Sequence, residues 1–183
     1  MRKDFGAKTW LYPMPVLIIA TYDQNGVADA MNAAWGGIGD ENEISVCISQ
    51  GHKTTKNILD RKAFTVSVAT AQYVKECDYV GIVSANDHSD KFEKTGFTVT
   101  HSARVDAPII DQLPMALECE LISYDGETLR GRIVNVSADE SVLTNGKIDP
   151  SKLRPITFDP VNNAYIALGD VVGAAFRDGL SLR

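Results

Sequence analysis

The chain has 183 residues, 44% of them hydrophobic and 23% charged, with a formal net charge of −6. That length can bury a sizeable core, so residues 1–183 are read as one globular domain, and the acidic balance argues against a general nucleic-acid binder, whose grip on phosphates rests on Lys and Arg. Three widely spaced cysteines (Cys47, Cys77 and Cys119), with no Cys-x-x-Cys pair, offer neither a disulfide framework nor a zinc signature and suit a reduced cytoplasm.

Arg2 and Lys3 precede the apolar run Pro15-Val16-Leu17-Ile18-Ile19-Ala20. The run is too short to span a bilayer, and no small-x-small cleavage site follows it, so it is read as a buried strand rather than a signal or anchor. The β-branched stretch 16–22 breaks at Asp23-Gln24-Asn25-Gly26, and Asn-Gly predicts a hairpin returning antiparallel over 27–32. Ile44, Val46 and Ile48 alternate with Ser45, Cys47 and Ser49 as in a half-buried strand, and 63–69 repeats the pattern. Met115, Leu117, Cys119 and Leu121 are expected on one face of a strand, with Glu118 and Glu120 on the other. A turn at Asp125-Gly126 leads to a partner strand over 129–136, and 156–158 and 165–168 supply two more.

Helices are fewer. One is expected over 54–61, a second over 72–83 with Thr70 as N-cap, and a short third over 87–94 ending before Gly96. Many antiparallel strands with few helices indicate an α+β protein, mainly β and built on a barrel.

Two segments carry chemistry. Ser49-Gln50-Gly51-His52-Lys53-Thr54-Thr55 joins a strand to a helix. The first amides of a helix lack internal partners and carry partial positive charge, which favours an anion such as a phosphate. Lys53 adds a full charge, the hydroxyls of Thr54 and Thr55 add donors, and Ser49 can reach the same anion from the strand end. Without a ligand the same residues would make an ordinary solvated helix start. Met31-Asn32-Ala33-Ala34-Trp35-Gly36-Gly37 is small and flat apart from Trp35. A planar ring could lie against that backbone, or the segment could be a strand end with one core aromatic. Together the two segments suggest a cofactor with a ring at one end and a phosphate at the other.

These segments, with Cys77-Asp78-Tyr79-Val80-Gly81-Ile82-Val83-Ser84, Asp90-Lys91-Phe92 and Tyr165-Ile166-Ala167-Leu168-Gly169-Asp170-Val171-Val172-Gly173, resemble the flavin reductase-like FMN-binding family on its flavoredoxin branch. The likeness runs over nearly the whole chain as an ordered series of weak matches. It implies the FMN-binding split β-barrel with a few peripheral helices, a homodimer with flavin near the interface, and FMN as cofactor. Its cofactor-binding residues would be Asn32, Ala33, Ala34, Trp35, Ser49, His52, Lys53, Thr54, Thr55 and Lys91. Family members often carry a hydroxyl residue where Ala34 stands, so a side-chain bond to the flavin is not expected there.

The resemblance leaves two function classes: an NAD(P)H-dependent flavin reductase, and a non-enzymatic FMN electron carrier serving a redox partner protein. A pyridoxamine phosphate oxidase-like enzyme is a third, weaker reading, for which no second basic cluster is present. No G-x-G-x-x-G fingerprint exists, so NAD(P)H would bind at the flavin mouth. No catalytic residue is assigned, because the cofactor carries the organic step. Cys77 reads as a packed small hydrophobe, and Asp87, His88 and Asp90 as a helix start rather than a metal set.

Overall fold

The computed structural model describes residues 1–183. Its strands are β1 (Met14–Pro15), β2 (Leu17–Tyr22), β3 (Ala28–Ala33), β4 (Gly36–Asp40), β5 (Glu43–Cys47), β6 (Ala63–Val68) and β7 (Val99–His101). They continue as β8 (Pro108–Ile110), β9 (Met115–Tyr124), β10 (Thr128–Ala138), β11 (Leu143–Thr144), β12 (Lys147–Ile148), β13 (Ile156–Asp159) and β14 (Ala164–Ala167). The helices are α1 (Lys53–Arg61), α2 (Val74–Ile82), α3 (Lys91–Thr95) and α4 (Pro150–Leu153). Strands β3-β2-β6-β9-β10-β5-β4, in that spatial order, form one antiparallel sheet that curls into the expected split barrel. A small sheet β1-β13-β14 lies apart from it. No helix is long and apolar enough to cross a membrane.

The unbroken apolar run of β2 has a simple cause: both of its faces are buried. Leu17 and Ile19 pack with Val46, Phe64, Val66 and Leu129 on one side, while Ile18 and Ala20 pack with Cys77, Val80, Phe97 and Ile110 on the other. Each large side chain removed from water in this way contributes about 1.5–3 kcal/mol. The two cores bracket β2 and β3, and α1 and α2 close over that pair of strands.

The expected β2–β3 hairpin is present, with Leu17 opposite Ala33 and Tyr22 opposite Ala28. Of its Asn-Gly pair only Gly26 takes a positive φ, +78°. The loop is closed by Asp23, whose Oδ1 accepts from the Asn25 and Val27 amides at 2.9 Å each. The expected second helix is split. A 3₁₀ turn over Ala71–Tyr73 precedes α2, and Thr70, whose backbone bridges to Pro155, makes no side-chain cap bond. The third helix is shorter than expected, since residues 84–90 form turns anchored on the Ser84 carbonyl, but Gly96 ends it. Glu118 does face away from Leu117 and Cys119, yet it is buried. Its carboxylate accepts from the Ser102 hydroxyl and the Asn135 amide, since the chain around Ser102 covers that face of β9. A buried carboxylate with two donors is satisfied, and strand alternation alone carries no sign of the covering loop.

Candidate functional site

Helix α1 starts after Gly51, with His52 at the N-cap in extended conformation and forming no side-chain cap bond. The first amide to find a helical acceptor is that of Lys56, on the His52 carbonyl at 3.3 Å. The amides of Lys53, Thr54 and Thr55 have no acceptor, and no acidic side chain sits in the first turn. Such an uncapped start, with its dipole uncompensated, is chemically an anion receptor.

Two ammonium groups flank it. Lys53 Nζ lies 3.2 Å from Asp23 Oδ2. Lys91, expected by residue type alone at the surface, is buried: its Nζ donates to the Ala30 carbonyl at 2.5 Å and lies 3.6 Å from Asp29 Oδ1. Burial lowers the Lys91 pKa, the Asp29 charge opposes that, and the balance falls below the ordinary 10.5.

The hydroxyls behave differently from expectation. Thr54 Oγ1 donates to Asp29 Oδ2 at 2.5 Å, and Thr55 Oγ1 donates to the Ser49 carbonyl at 2.8 Å. Each hydroxyl has a single proton, so in this arrangement both fasten the helix start to the strands. Ser49 Oγ accepts from the Gly51 amide at 3.2 Å, tightening the same turn.

Three adjoining clefts run away from this helix start. The first, about 190 Å³, is lined by Asn32, His52, Lys53, Thr54, Gly81 and Lys91 among others. Asn32 and Gly81 also line the second, about 230 Å³, with Ala34, Asp78, Phe158 and Tyr165. Ala34 in turn lines the third, about 370 Å³, with Trp10, Leu11, Trp35 and Gly36. The clefts thus pass from an end holding Lys53 and Lys91, through a middle lined by Asp78 and Tyr165 beside the small Ala34 and Gly81, to an exposed aromatic end that also carries Lys8. Glycine at position 81 has a steric reason: a Cβ there would stand 2.8 Å from the Asn32 Cβ, so only Gly lets α2 lie this close to β3. Asn32 is held by donating from Nδ2 to the Cys77 carbonyl at 3.2 Å.

Of the residues expected at the site, Asn32, Ala34, Trp35, His52, Lys53, Thr54 and Lys91 line this series of clefts. Ala33, Ser49 and Thr55 do not. Ala33 is packed in the core, Thr55 is buried, and Ser49 belongs to the turn. Trp35, read as a possible core aromatic, is exposed. Sequence reading missed Asp29, Asp78 and Tyr165. Tyr165 donates to Asp78 Oδ1 at 2.7 Å, and burial followed by that bond raises its pKa to about 12. The two are far apart in sequence and nothing local links them. Asp29 left one trace, a carboxylate within a strand, where Asp is disfavoured. Burial also raises the Cys77 thiol to about 12, which keeps it protonated and unreactive.

Comparison with known proteins matches the geometry. Residues 9–157 match the model of the flavin reductase like domain. Over 98% of this chain and 100% of the other, the fold is similar to flavoredoxin of Desulfovibrio vulgaris (Miyazaki F), with a TM-score of 0.94 and 37% identity. Flavoredoxin from Methanosarcina acetivorans is similar over 100% of both chains, with a TM-score of 0.88 and 26% identity. An FMN-binding domain of a flavin reductases-like enzyme from Shewanella baltica OS155 shares the fold at a TM-score of 0.78, with 22% identity over 87% of this chain and 88% of that one. On the extent of these matches, the chain belongs to the flavin reductase-like family.

Proposed function

We propose that residues 1–183 form one FMN-binding oxidoreductase domain, with the FMN phosphate at the start of α1 and the ring system toward Ala34 and Trp35. The observation that carries this reading is the run of adjoining clefts, with Lys53 and Lys91 beside uncapped amides at the α1 end and two tryptophans, with Lys8, at the other. The residues fit the group. Three amides without acceptors and the ammonium groups of Lys53 and Lys91 suit one terminal monophosphate. The small side chain of Ala34, which lines two of the clefts, lets backbone approach a ring edge, and Trp35 stands exposed to shield it. When bound, FMN supplies the hydride- and electron-accepting chemistry.

This chain's residues bind, orient and exclude water. The α1 amides and the two lysines hold the anion, and Asn32, fixed on the Cys77 carbonyl, stands at the junction of the first two clefts. A backbone amide near Ala34 would favour negative charge on the ring edge. We favour an NAD(P)H-dependent flavin reductase-like activity, with the nicotinamide reaching the open cleft mouth. The second reading, an electron carrier that meets a redox partner protein, draws on the similarity to two proteins named flavoredoxin. Anaerobic mixing with NADH and NADPH separates them: rapid bleaching of flavin absorbance supports the reductase, and no bleaching supports the carrier.

We also propose a homodimer that closes the cofactor site. Residues beyond β14 are exposed throughout, and Val171, Val172 and Phe176 are 92%, 100% and 100% exposed. An apolar segment so placed is suited to covering by a second copy. Light scattering of the FMN-loaded protein at micromolar concentration tests this; a monomer that keeps stoichiometric FMN overturns it.

A further inference from the structure

We propose that Asp29 is a positioning residue for the anionic end of the cofactor, fastening the start of α1 through Thr54 and holding the Lys91 ammonium at the cleft wall. The inference rests on the FMN reading above and assigns a role to a residue that does not line the cleft.

Asp29 is the second residue of β3, opposite Thr21, and it is 3% exposed. Its period-two face is that of Met31 and Ala33, two positions that pack into the same core as Ile58 of α1. Oδ2 takes the Thr54 hydroxyl at 2.5 Å. Oδ1 lies 3.6 Å from Lys91 Nζ and has no hydrogen-bond partner, although it is buried. Lys91 is equally hidden at 3% exposure, and one of its donors goes to the Ala30 carbonyl. An ammonium has three donors, so Lys91 keeps capacity for a further acceptor on a side chain that lines the cleft with His52, Lys53 and Thr54.

As pure scaffolding this is a poor arrangement. A half-satisfied buried charge network is worse than an apolar one of the same shape. It makes physical sense as a receptor. The Asp29 charge keeps a buried lysine protonated, and the Thr54 bond fixes where the α1 amides lie. An anion arriving at the cleft then completes the coordination of Lys91. Asp29 acts through these two groups and does not touch the ligand.

The test is fluorescence titration of FMN and of riboflavin, which lacks the phosphate, on wild type and Asp29→Asn. The variant is expected to bind FMN about tenfold more weakly, the scale of one charge-assisted hydrogen bond, with riboflavin affinity changed by less than about twofold. Equal weakening for both ligands would mark Asp29 as merely structural, and unchanged FMN affinity would remove its role; either overturns the proposal. Where Asp29→Asn does not fold, Thr54→Val removes the bond between Asp29 and α1, and the same FMN-selective loss is required of it. A wild type that does not prefer FMN to riboflavin overturns the FMN reading and this inference with it. A wild type that does, beside a variant that keeps the preference, overturns this inference alone.

Discussion

The Lys53–Asp23 pair spans 3.2 Å with its lysine side chain 33% exposed, whereas Lys91–Asp29 spans 3.6 Å with both side chains 4% exposed. Both lysines line the same cleft, and both are held by carboxylates from the β2–β3 hairpin, Asp23 in its loop and Asp29 on β3. In the first pair Asp23 is largely covered, at 11% side-chain exposure, but it also accepts the Asn25 and Val27 amides, while Lys53 keeps part of its water and can move to meet a ligand. The buried pair has given up hydration, so each partner depends on the other and the lysine is fixed in place. One hairpin thus carries one adaptable and one rigid cation to the same helix start.

The sharpest way to break this comparison is to remove the buried lysine. Lys91→Met should destabilise the fold by about 3–5 kcal/mol, because it strands the Asp29 charge without a partner. The Asp29→Asn/Lys91→Met double variant should recover most of that loss. Urea unfolding measures both, and a loss below about 1 kcal/mol for the single variant would mean that Asp29 is rehydrated and the pair is not buried in solution.

The less buried lysine should show the reverse pattern. Lys53→Ala is expected to weaken FMN binding by about 1.5–3 kcal/mol, the scale of a hydrogen bond to a charged group. Its effect on stability should stay within about 0.5 kcal/mol, as for other surface changes. Unchanged flavin affinity with a sharp drop in melting temperature would make Lys53 a structural residue.

The smallest expected effects are in pH, and they fall at opposite ends of the scale. Burial raises the Asp23 pKa, but the Val27 and Asn25 amides and then Lys53 lower it further, so it sits below 3.8. Below 3.8 the unfolded chain therefore holds the proton more tightly, and this contribution, full above 3.8, is lost as pH falls. Lys91 is lowered from 10.5, so between its folded value and 10.5 the unfolded chain again binds more protons and stability rises with pH. Thermal unfolding against pH should show Asp23→Asn with a flatter acid limb than wild type, and Lys91→Met without the alkaline gain. An acid limb identical in Asp23→Asn would mean that other carboxylates control it.

Much of the fold and part of the site were legible in the residues alone. The apolar run of β2, the alternation of β5 and the turn signals at Gly26 and Gly126 follow from local chemistry, and each stands where local chemistry puts it. The strand-to-helix junction at Gly51-His52-Lys53 was likewise readable, because uncapped amides beside a lysine are a property of neighbours in sequence. Tertiary packing decided the rest. Nothing near Lys91 announces that its ammonium is buried against β3, 61 residues upstream at the Ala30 carbonyl. Nothing near Glu118 announces the covering loop at Ser102, and nothing near Asp78 announces Tyr165. The hydroxyls of Thr54 and Thr55, donors by residue type, were committed by the fold to Asp29 and to the Ser49 carbonyl. The physical reason is common to all of these. Residue type sets what a polar group is able to bond, while burial, which only the assembled chain establishes, decides which of its possible partners it must take.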